Sequence, residues 1–300
     1  MRTVAVIPAR FHSSRLEGKP LMDICGKPMV WWVYRQAAKS RRIDAVYVAT
    51  DHEKIRLACE ALQIPCVMTS PEHRTSTERV YEVSQRIPAD VYLCINGDEP
   101  LLETAVMEQV IPRDPETFFA ANLMTKIHVP VEAVDDSNIK VVTDQEGNAL
   151  FLSRSPIPHP KASIQFDYFK HLGVLAYSRE ALRFFAETEK GALEKIEDIN
   201  ELRFVEHGKK LKMIPVEANT LSVDTPKDLE YVRNVMQRRT WSCEHSDSGL
   251  HAARRRLYQW LEIRQRHHCV HFGQIGPGSY RHHRVRLFNR YGKRRGVLPI

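Results

Sequence analysis

The chain has 300 residues, 43% of them hydrophobic, enough for one large α/β domain or two small ones. No apolar run approaches the roughly 18–20 residues of a membrane span, and the first residues enter a strand-like run without a signal-peptide pattern, so a cytoplasmic protein is expected. The net charge of +7 belongs to the end of the chain: residues 239–300 carry 12 Arg and one Lys against three acidic residues, whereas residues 1–238 carry 31 basic and 34 acidic groups.

Taken in order, Val4–Ile7 predicts a strand, Met29–Ser40 a helix, Ala45–Thr50 a strand and Glu53–Leu62 a helix. A short strand at Pro65–Met68 precedes a loop at Thr69–Ser76 and a helix over Glu78–Arg86. Val91–Asn96 then reads as a buried strand ending in Gly97-Asp98-Glu99-Pro100. Strands separated by helices of about ten residues imply βαβ units and a mainly parallel sheet. The second half is less regular. Phe118–Thr125, Ile139–Thr143, Phe169–Tyr177 and Leu211–Val216 read as strands, with a turn at Asp144–Asn148. Arg179–Glu187, Leu193–His207 and Pro226–Gln237 read as helices, the last opened by Asp224-Thr225-Pro226, a cap-like start. Residues 239–300, rich in Arg and His, predict a disordered basic tail; clustered Arg with aromatic residues also suits nucleic-acid contact.

The loop from Ile7 to Leu21 holds Arg10, Arg15 and Lys19 with the adjacent Ser13 and Ser14. A strand feeding a cationic turn places a phosphate site beyond the strand's carboxyl end. Lys19 is followed by Pro20 rather than Ser or Thr, so this is not a Walker loop, and no G-x-G-x-x-G dinucleotide fingerprint is present. The cations themselves are left to hold a polyphosphate. Asp98 follows a buried strand, and Asp224 lies between a strand-like run and a helix start, although an Asp before Thr-Pro is also an ordinary helix cap. Two carboxylates suit magnesium, which usually takes one or two of them together with substrate phosphates. The six cysteines lack the paired spacing of a zinc site or disulfide framework, and four lie among apolar residues as reduced thiols.

These motifs, in this order, resemble the CMP-KDO synthetases, the 3-deoxy-manno-octulosonate cytidylyltransferases, over residues 2–238. The opening loop of that family appears as Ile7 to Leu21, with Glu17 in place of a proline. It is followed by Gly26-Lys27-Pro28-Met29, Ala49-Thr50-Asp51, His73 to Arg79, Asn96 to Pro100, Ser153 to Pro158, Lys170 to Gly173 and Val223 to Pro226. The resemblance implies a Rossmann-like nucleotidyltransferase sheet, GT-A-like and mainly parallel, with a smaller mixed dimerisation and acceptor subdomain. It further implies a homodimer that transfers CMP from CTP to the anomeric hydroxyl of an acid sugar and releases pyrophosphate. By the same resemblance Asp98 and Asp224 hold Mg²⁺, while Arg10, Arg15 and Lys19 grip the phosphates. Pro8, Ala9, Ser14, His73, Ser76, Thr77, Arg79, Asn96 and Gly97 complete the nucleotide site, and Arg154, His171, Asn200 and Glu201 face the acceptor.

The departures from the family pattern are uneven. Phosphate and metal positions are kept, but the base loop has Ser76 for glycine and Glu78 for aspartate, and Asn96 replaces glutamine. In the acceptor pocket Leu175 replaces a tyrosine, and the usual Glu-Gln pair is Asn200-Glu201. Sites built for polar partners discriminate sharply, so a relative of KDO, amino-substituted or shortened, or a phosphonate, is the expected acceptor. Two alternatives stand beside this reading: a nucleotidyltransferase for another anionic acceptor, and a non-catalytic nucleotide-binding module whose tail binds nucleic acid.

Overall fold

Side-chain alternation along the first strand organises both faces of the sheet. In the computed structural model, which describes residues 1–12, 16–162, 166–218 and 220–244, that strand is β1 (Thr3–Pro8). Its Ala5 and Ile7 face one hydrophobic cluster while Val4 and Val6 face another, as the two-residue period of a strand requires. The first cluster is covered by α1 (Met29–Ala37) and α2 (Glu53–Ala61), through Val30, Val33, Ile55 and Cys59. The second is covered by α3 (Ser76–Arg86) and α6 (Arg179–Glu187), through Val80, Val83, Ala181, Leu182 and Phe185.

β1 pairs in parallel with β4 (Ala45–Thr50) on one side and β6 (Val91–Ile95) on the other. β4 pairs in turn with β5 (Cys66–Met68), again parallel. The chain therefore leaves β1 in both directions, and the carboxyl end of β1 is a topological switch point, where open α/β sheets bind ligands. Beyond β6 lies β10 (Phe169–Tyr177), then β7 (Ala120–Lys126) and β11 (Lys212–Pro215). β10 runs antiparallel to both of its neighbours, and β11 runs parallel to β7. Six of these seven strands share one direction, so the sheet is mostly parallel.

The antiparallel part grows from β10, which pairs with β8 (Lys140–Thr143), and β8 pairs with β9 (Ala149–Ser153). The turn expected at Asp144–Asn148 joins them: the Asp144 N–H donates to the Asn148 carbonyl at 2.9 Å, and Asp144 Oδ1 accepts from the Asn148 N–H at 2.8 Å. A short antiparallel pair, β2 (Asp23–Ile24) and β3 (Lys27–Pro28), follows the loop after β1. Short helices α4 (Thr104–Met107) and α5 (Pro130–Val134) flank β7 in the chain.

The single helix expected over Leu193–His207 is instead two, α7 (Ala192–Glu197) and α8 (Leu202–Glu206). They are separated at Asp198, whose φ of 52° lies in the left-handed region. The break serves a buried ion pair. Arg203, with its side chain 3% exposed, donates to Glu194, 1% exposed, at 2.7 and 2.6 Å. The same guanidinium donates to the Phe185 carbonyl at 2.7 Å and stacks on the Phe185 ring at 3.8 Å. The final helix, α9 (Pro226–Glu244), runs past residue 238 into the sequence assigned above to the tail. Residues 245–300, with the nucleic-acid contact expected of them, lie outside the described residues. Among the described residues no helix is long and apolar enough to cross a membrane.

Removing one partner of a buried, hydrogen-bonded ion pair costs about 3–5 kcal/mol, because the other charge is left without compensation. Glu194→Ala is expected to lower unfolding stability in urea by that amount; a loss below about 1 kcal/mol would show that the pair does not hold the α7–α8 break.

Candidate active site

The loop leaving β1 is tied down on both sides of its cationic stretch. The Ala9 N–H donates to the Ala49 carbonyl at 2.9 Å, and the Gly18 N–H closes the loop on the Phe11 carbonyl at 2.8 Å. Phe11 lies flat on His52, with ring centroids 4.1 Å apart, and Lys54 sits over its ring at 4.8 Å. Gly18 is required twice over: its φ is +66°, and an added Cβ would come within 3.3 Å of the Phe11 ring. A helical turn at Lys19–Leu21 follows. Ser14 and Arg15 lie outside the described residues.

Lys19 is where the three expected segments meet. Its Nζ donates to Asp98 Oδ2 at 2.8 Å and to Asp224 Oδ1 at 3.2 Å. Backbone pairing brings the aspartates together, because the Val223 N–H donates to the Asp98 carbonyl at 2.9 Å. The helix-cap reading of Asp224 is answered by its neighbours. The Thr225 hydroxyl accepts from the Asp228 N–H at 3.3 Å, and Asp228 Oδ2 accepts from the N–H groups of Thr225 and Asp224 at 2.8 and 3.2 Å. α9 is thus capped by Thr225 and Asp228, and the Asp224 carboxylate reaches Lys19. Burial alone would depress the Lys19 ammonium; attraction by Asp98 and then Asp224, with hydrogen bonds to both, overrides it and holds the group above its ordinary value. Gly97 lies against β1, where an added Cβ would come to 3.4 Å from the Pro8 carbonyl.

Asp98 Oδ1 is buried and has no hydrogen-bond partner among the described residues. A buried carboxylate oxygen left unsatisfied is expensive, so this atom is available to a ligand that the chain does not itself supply. The described residues bring no cluster of three or more His, Cys, Asp or Glu side chains into metal-holding geometry. Two hard carboxylates completed by phosphate oxygens are the donor set that magnesium commonly takes, and Asp98 with Asp224 fits it.

The loop between β5 and α3 is built from within. Thr75 and Glu78 form a capping box, each side chain accepting from the other's N–H at 3.1 Å. Glu78 also accepts from the Arg74 N–H at 2.8 Å. Arg79 is fully buried, donating to Asp51 Oδ2 at 3.2 Å and to the Thr69 hydroxyl. It therefore orders the loop from beneath. Arg10 stands close enough to feel the same group: burial first and then Arg79 lower its guanidinium, with Asp51 and Glu78 acting the other way. His73 meets Glu82 at 2.5 Å, and Glu82 also accepts from the Ser70 N–H at 2.8 Å. Ser76 and Thr77 open α3. Ser76 hydrogen-bonds Cys94, whose thiol burial pushes up to about 12, and Thr77 reaches the Tyr177 hydroxyl at 3.5 Å. Cys25, Cys59, Cys66 and Cys94 are all free thiols.

On the other side of the switch point Arg154 is within electrostatic reach of both His171 and Glu201. Arg154 is held by the main chain, donating to the carbonyls of Glu197, Asp136 and Asp198 at 2.7, 3.0 and 3.0 Å. His171 lies at an irregularity in β10, where the Asn122 amide donates to the carbonyls of Leu172 and Val174 at 2.8 and 3.0 Å. Its Nδ1 is buried with no hydrogen-bond partner among the described residues, and desolvation followed by the charges of Arg154 and Lys170 lowers the imidazole to about 4. Asn200 is half-buried in the turn before α8, and its carbonyl accepts from the Arg203 N–H at 3.1 Å. Glu201 is buried, and desolvation raises its carboxyl to about 7.

Several residues that build the site carry no motif signature. Asp51 was visible inside Ala49-Thr50-Asp51, but its partner Arg79 is a tertiary contact. Glu197 accepts from the Ser153 hydroxyl at 2.6 Å and the Arg154 N–H at 2.9 Å, and buried Lys140 donates to the carbonyls of Asp135, Asn138 and Arg154. Asn122, 0% exposed within an apolar strand, could have been flagged as a polar residue out of pattern.

A mostly parallel sheet carrying a lysine and two aspartates at its switch point defines a nucleotidyltransferase-type α/β protein. A family model described as cytidylyltransferase matches residues 4–211. A 3-deoxy-manno-octulosonate cytidylyltransferase of Geotalea uraniireducens is 38% identical over 245 residues, covering 77% of this chain and 98% of the relative. An 8-amino-3,8-dideoxy-manno-octulosonate cytidylyltransferase of Shewanella woodyi is 37% identical over 235 residues, covering 76% and 96%. A solved structure of CMP:2-keto-3-deoxy-manno-octonic acid synthetase, complexed with CTP, is 36% identical with a TM-score of 0.74, covering 80% of this chain and all of that one. The chain belongs to the cytidylyltransferase family that includes the 3-deoxy-manno-octulosonate enzymes and their 8-amino counterparts.

The folded protein holds the Glu201 proton more tightly than the unfolded chain does, so its contribution to stability falls as pH rises from 4.5 through about 7. Glu201→Gln is expected to be more stable to unfolding in urea than the wild type at pH 8, by roughly 1–3 kcal/mol, with the difference vanishing below about pH 4.5. An unchanged difference across that range would place the carboxylate in water.

Proposed function

We propose that this chain transfers the cytidylyl group of CTP to the anomeric hydroxyl of 3-deoxy-manno-octulosonate or a close relative. The acceptor hydroxyl gives up its proton to solvent as its oxygen forms a bond to the α-phosphorus, the α–β anhydride bond breaks, and pyrophosphate leaves with the bonding electrons. The observation that carries the reading is the meeting of Lys19 with Asp98 and Asp224. Phosphoryl transfer asks little of a protein beyond positioning and charge stabilisation, and this trio, with Arg10 on the same loop, offers both. Bound by Asp98 and Asp224, Mg²⁺ would neutralise charge on the phosphates. His73, Ser76, Thr77, Asn96 and Gly97 would line the nucleotide site. Arg79 would act through Asp51, Thr69 and the loop they order.

Arg154, His171, Asn200 and Glu201 would face the acceptor. His171 is neutral at physiological pH and so would serve as a hydrogen-bonding group there. A second acceptor, an amino-bearing relative of the sugar, is favoured by one feature of the pocket. Leu175, Asn200 and Glu201 replace the tyrosine and the Glu-Gln pair of the family pattern, which removes the phenol hydroxyl and moves the carboxylate one residue along the chain, to the buried Glu201. The homodimer rests on the family resemblance, the cytoplasmic location on the lack of an apolar run long enough for a membrane span, and a nucleic-acid contact of residues 239–300 on their composition alone.

Pyrophosphate release from CTP, measured with and without magnesium against KDO and its 8-amino form, tests the reading. Magnesium-dependent release with one of these acids is expected, and Lys19→Met should lower kcat by about 10²–10³-fold. Absence of release with every acid sugar, or full activity of Lys19→Met, would contradict it.

A further inference from the structure

We propose that Glu99 is a positioning residue that sets the acceptor-side strand β10 against the aspartate centre; the inference rests on the cytidylyltransferase reading above. Glu99 is 6% exposed, and among the described residues no cation pairs with it. A buried carboxylate is costly unless donors satisfy it, and here each oxygen takes one donor from a different segment. Oε1 accepts from the Gly173 N–H at 2.8 Å, and Oε2 accepts from the Thr220 hydroxyl at 2.9 Å. Gly173 lies in β10, two residues from His171; Thr220 lies four residues before Asp224.

Both segments are gripped a second time by the same loop. The Gly173 carbonyl accepts from the Asn96 N–H at 2.7 Å, and the Asp98 carbonyl accepts from the Val223 N–H at 2.9 Å. The approach leaves no space at position 173, where an added Cβ would lie 2.6 Å from Asn96 Nδ2 and 2.8 Å from Glu99 Oε1. The loop 96–99 thus holds the acceptor strand on one side and the Asp224 segment on the other. Glu99 is the side chain that joins them. A packing role would be filled as well by an apolar residue of similar size; a carboxylate is suited to two donors that must be held at a fixed spacing.

The test compares Glu99→Ala, Glu99→Gln and Thr220→Val in the full chain. Orientation losses of this kind cost up to about 100-fold in rate. Glu99→Ala is expected to lower kcat by about that factor and raise the acceptor KM, with the CTP Kd changed by less than about threefold. Glu99→Gln should recover most of the rate, since its amide oxygen can accept from Gly173 and its amide N–H can donate to the Thr220 oxygen. Thr220→Val should lower kcat by about tenfold with Gly173 still held. Wild-type kinetics in a folded Glu99→Ala, or equal losses for CTP and acceptor, would overturn the proposal. Should Glu99→Ala fail to fold, Thr220→Val decides: wild-type kinetics there overturn it. Amide hydrogen exchange gives a readout independent of turnover. Faster exchange at both Gly173 and Val223 in Glu99→Ala supports the coupling, and faster exchange at one of them alone in that variant overturns it. A wild-type protein that releases no pyrophosphate would instead defeat the functional reading, with the exchange result still deciding the role of Glu99.

Discussion

The Lys19 ammonium lies between the carboxylates of Asp98 and Asp224, and most of the surrounding structure can be read as the means of holding it there. Two carboxylates brought this close, partly out of water, would repel each other. One ammonium within hydrogen-bonding distance of both removes that cost. It also leaves a local field that a triphosphate with a divalent cation can enter by exchanging one set of charge contacts for another. The requirement falls on three pieces of chain far apart in sequence. The loop after β1 must turn back on itself, which Gly18 and the Phe11–His52 stack enforce. The loop after β6 must lie against β1, which Gly97 permits. The segment before α9 must run beside that loop, which the Val223–Asp98 backbone bond and the Thr225–Asp228 cap secure.

The switch point gives this arrangement its place in the sheet. β1 has a parallel neighbour on each side, so the loops after β1 and β6 diverge and leave a crevice at their carboxyl ends. β10, antiparallel to β6, enters the same crevice from the opposite direction and brings His171 with it. The two halves of the site are therefore built on strands of opposite sense, joined by the contacts of loop 96–99. The half proposed for the nucleotide rests on α3, whose buried Arg79 reaches Asp51 at the end of β4. The half proposed for the acceptor rests on β8, β9 and the α7–α8 break, where Arg154 is fixed by three carbonyls.

Much of this was legible in the sequence because it is local. β1, β4 and β6 are short apolar runs bounded by polar loops, and their helices follow the expected spacing. The lysine, the two aspartates and the order of motifs were visible as well, and the structure places Lys19 with both acids. Other features were not legible, for physical reasons. β9 has Leu150 exposed and Leu152 buried, so no polar alternation announces it. The α7–α8 stretch has helical periodicity throughout, and only the Glu194–Arg203 pair, a tertiary contact, accounts for the break at Asp198. The cap of α9 looked like the work of Asp224 because Thr225 and Asp228 compete for the same role. Asn122 and Glu99 bond groups of distant segments, and Lys140 gathers the carbonyls of Asp135, Asn138 and Arg154, contacts that leave no trace in local pattern.

The central claim is that the front loop and the two aspartates converge on one triphosphate. Phosphorus NMR of CTP bound to the protein with Mn²⁺ in place of magnesium examines this directly, since a paramagnetic ion broadens nearby phosphorus nuclei. The account predicts broadening of the nucleotide phosphates that is lost in both Asp98→Asn and Asp224→Asn. Broadening that persists unchanged in both variants would place the ion and the triphosphate elsewhere and contradict it.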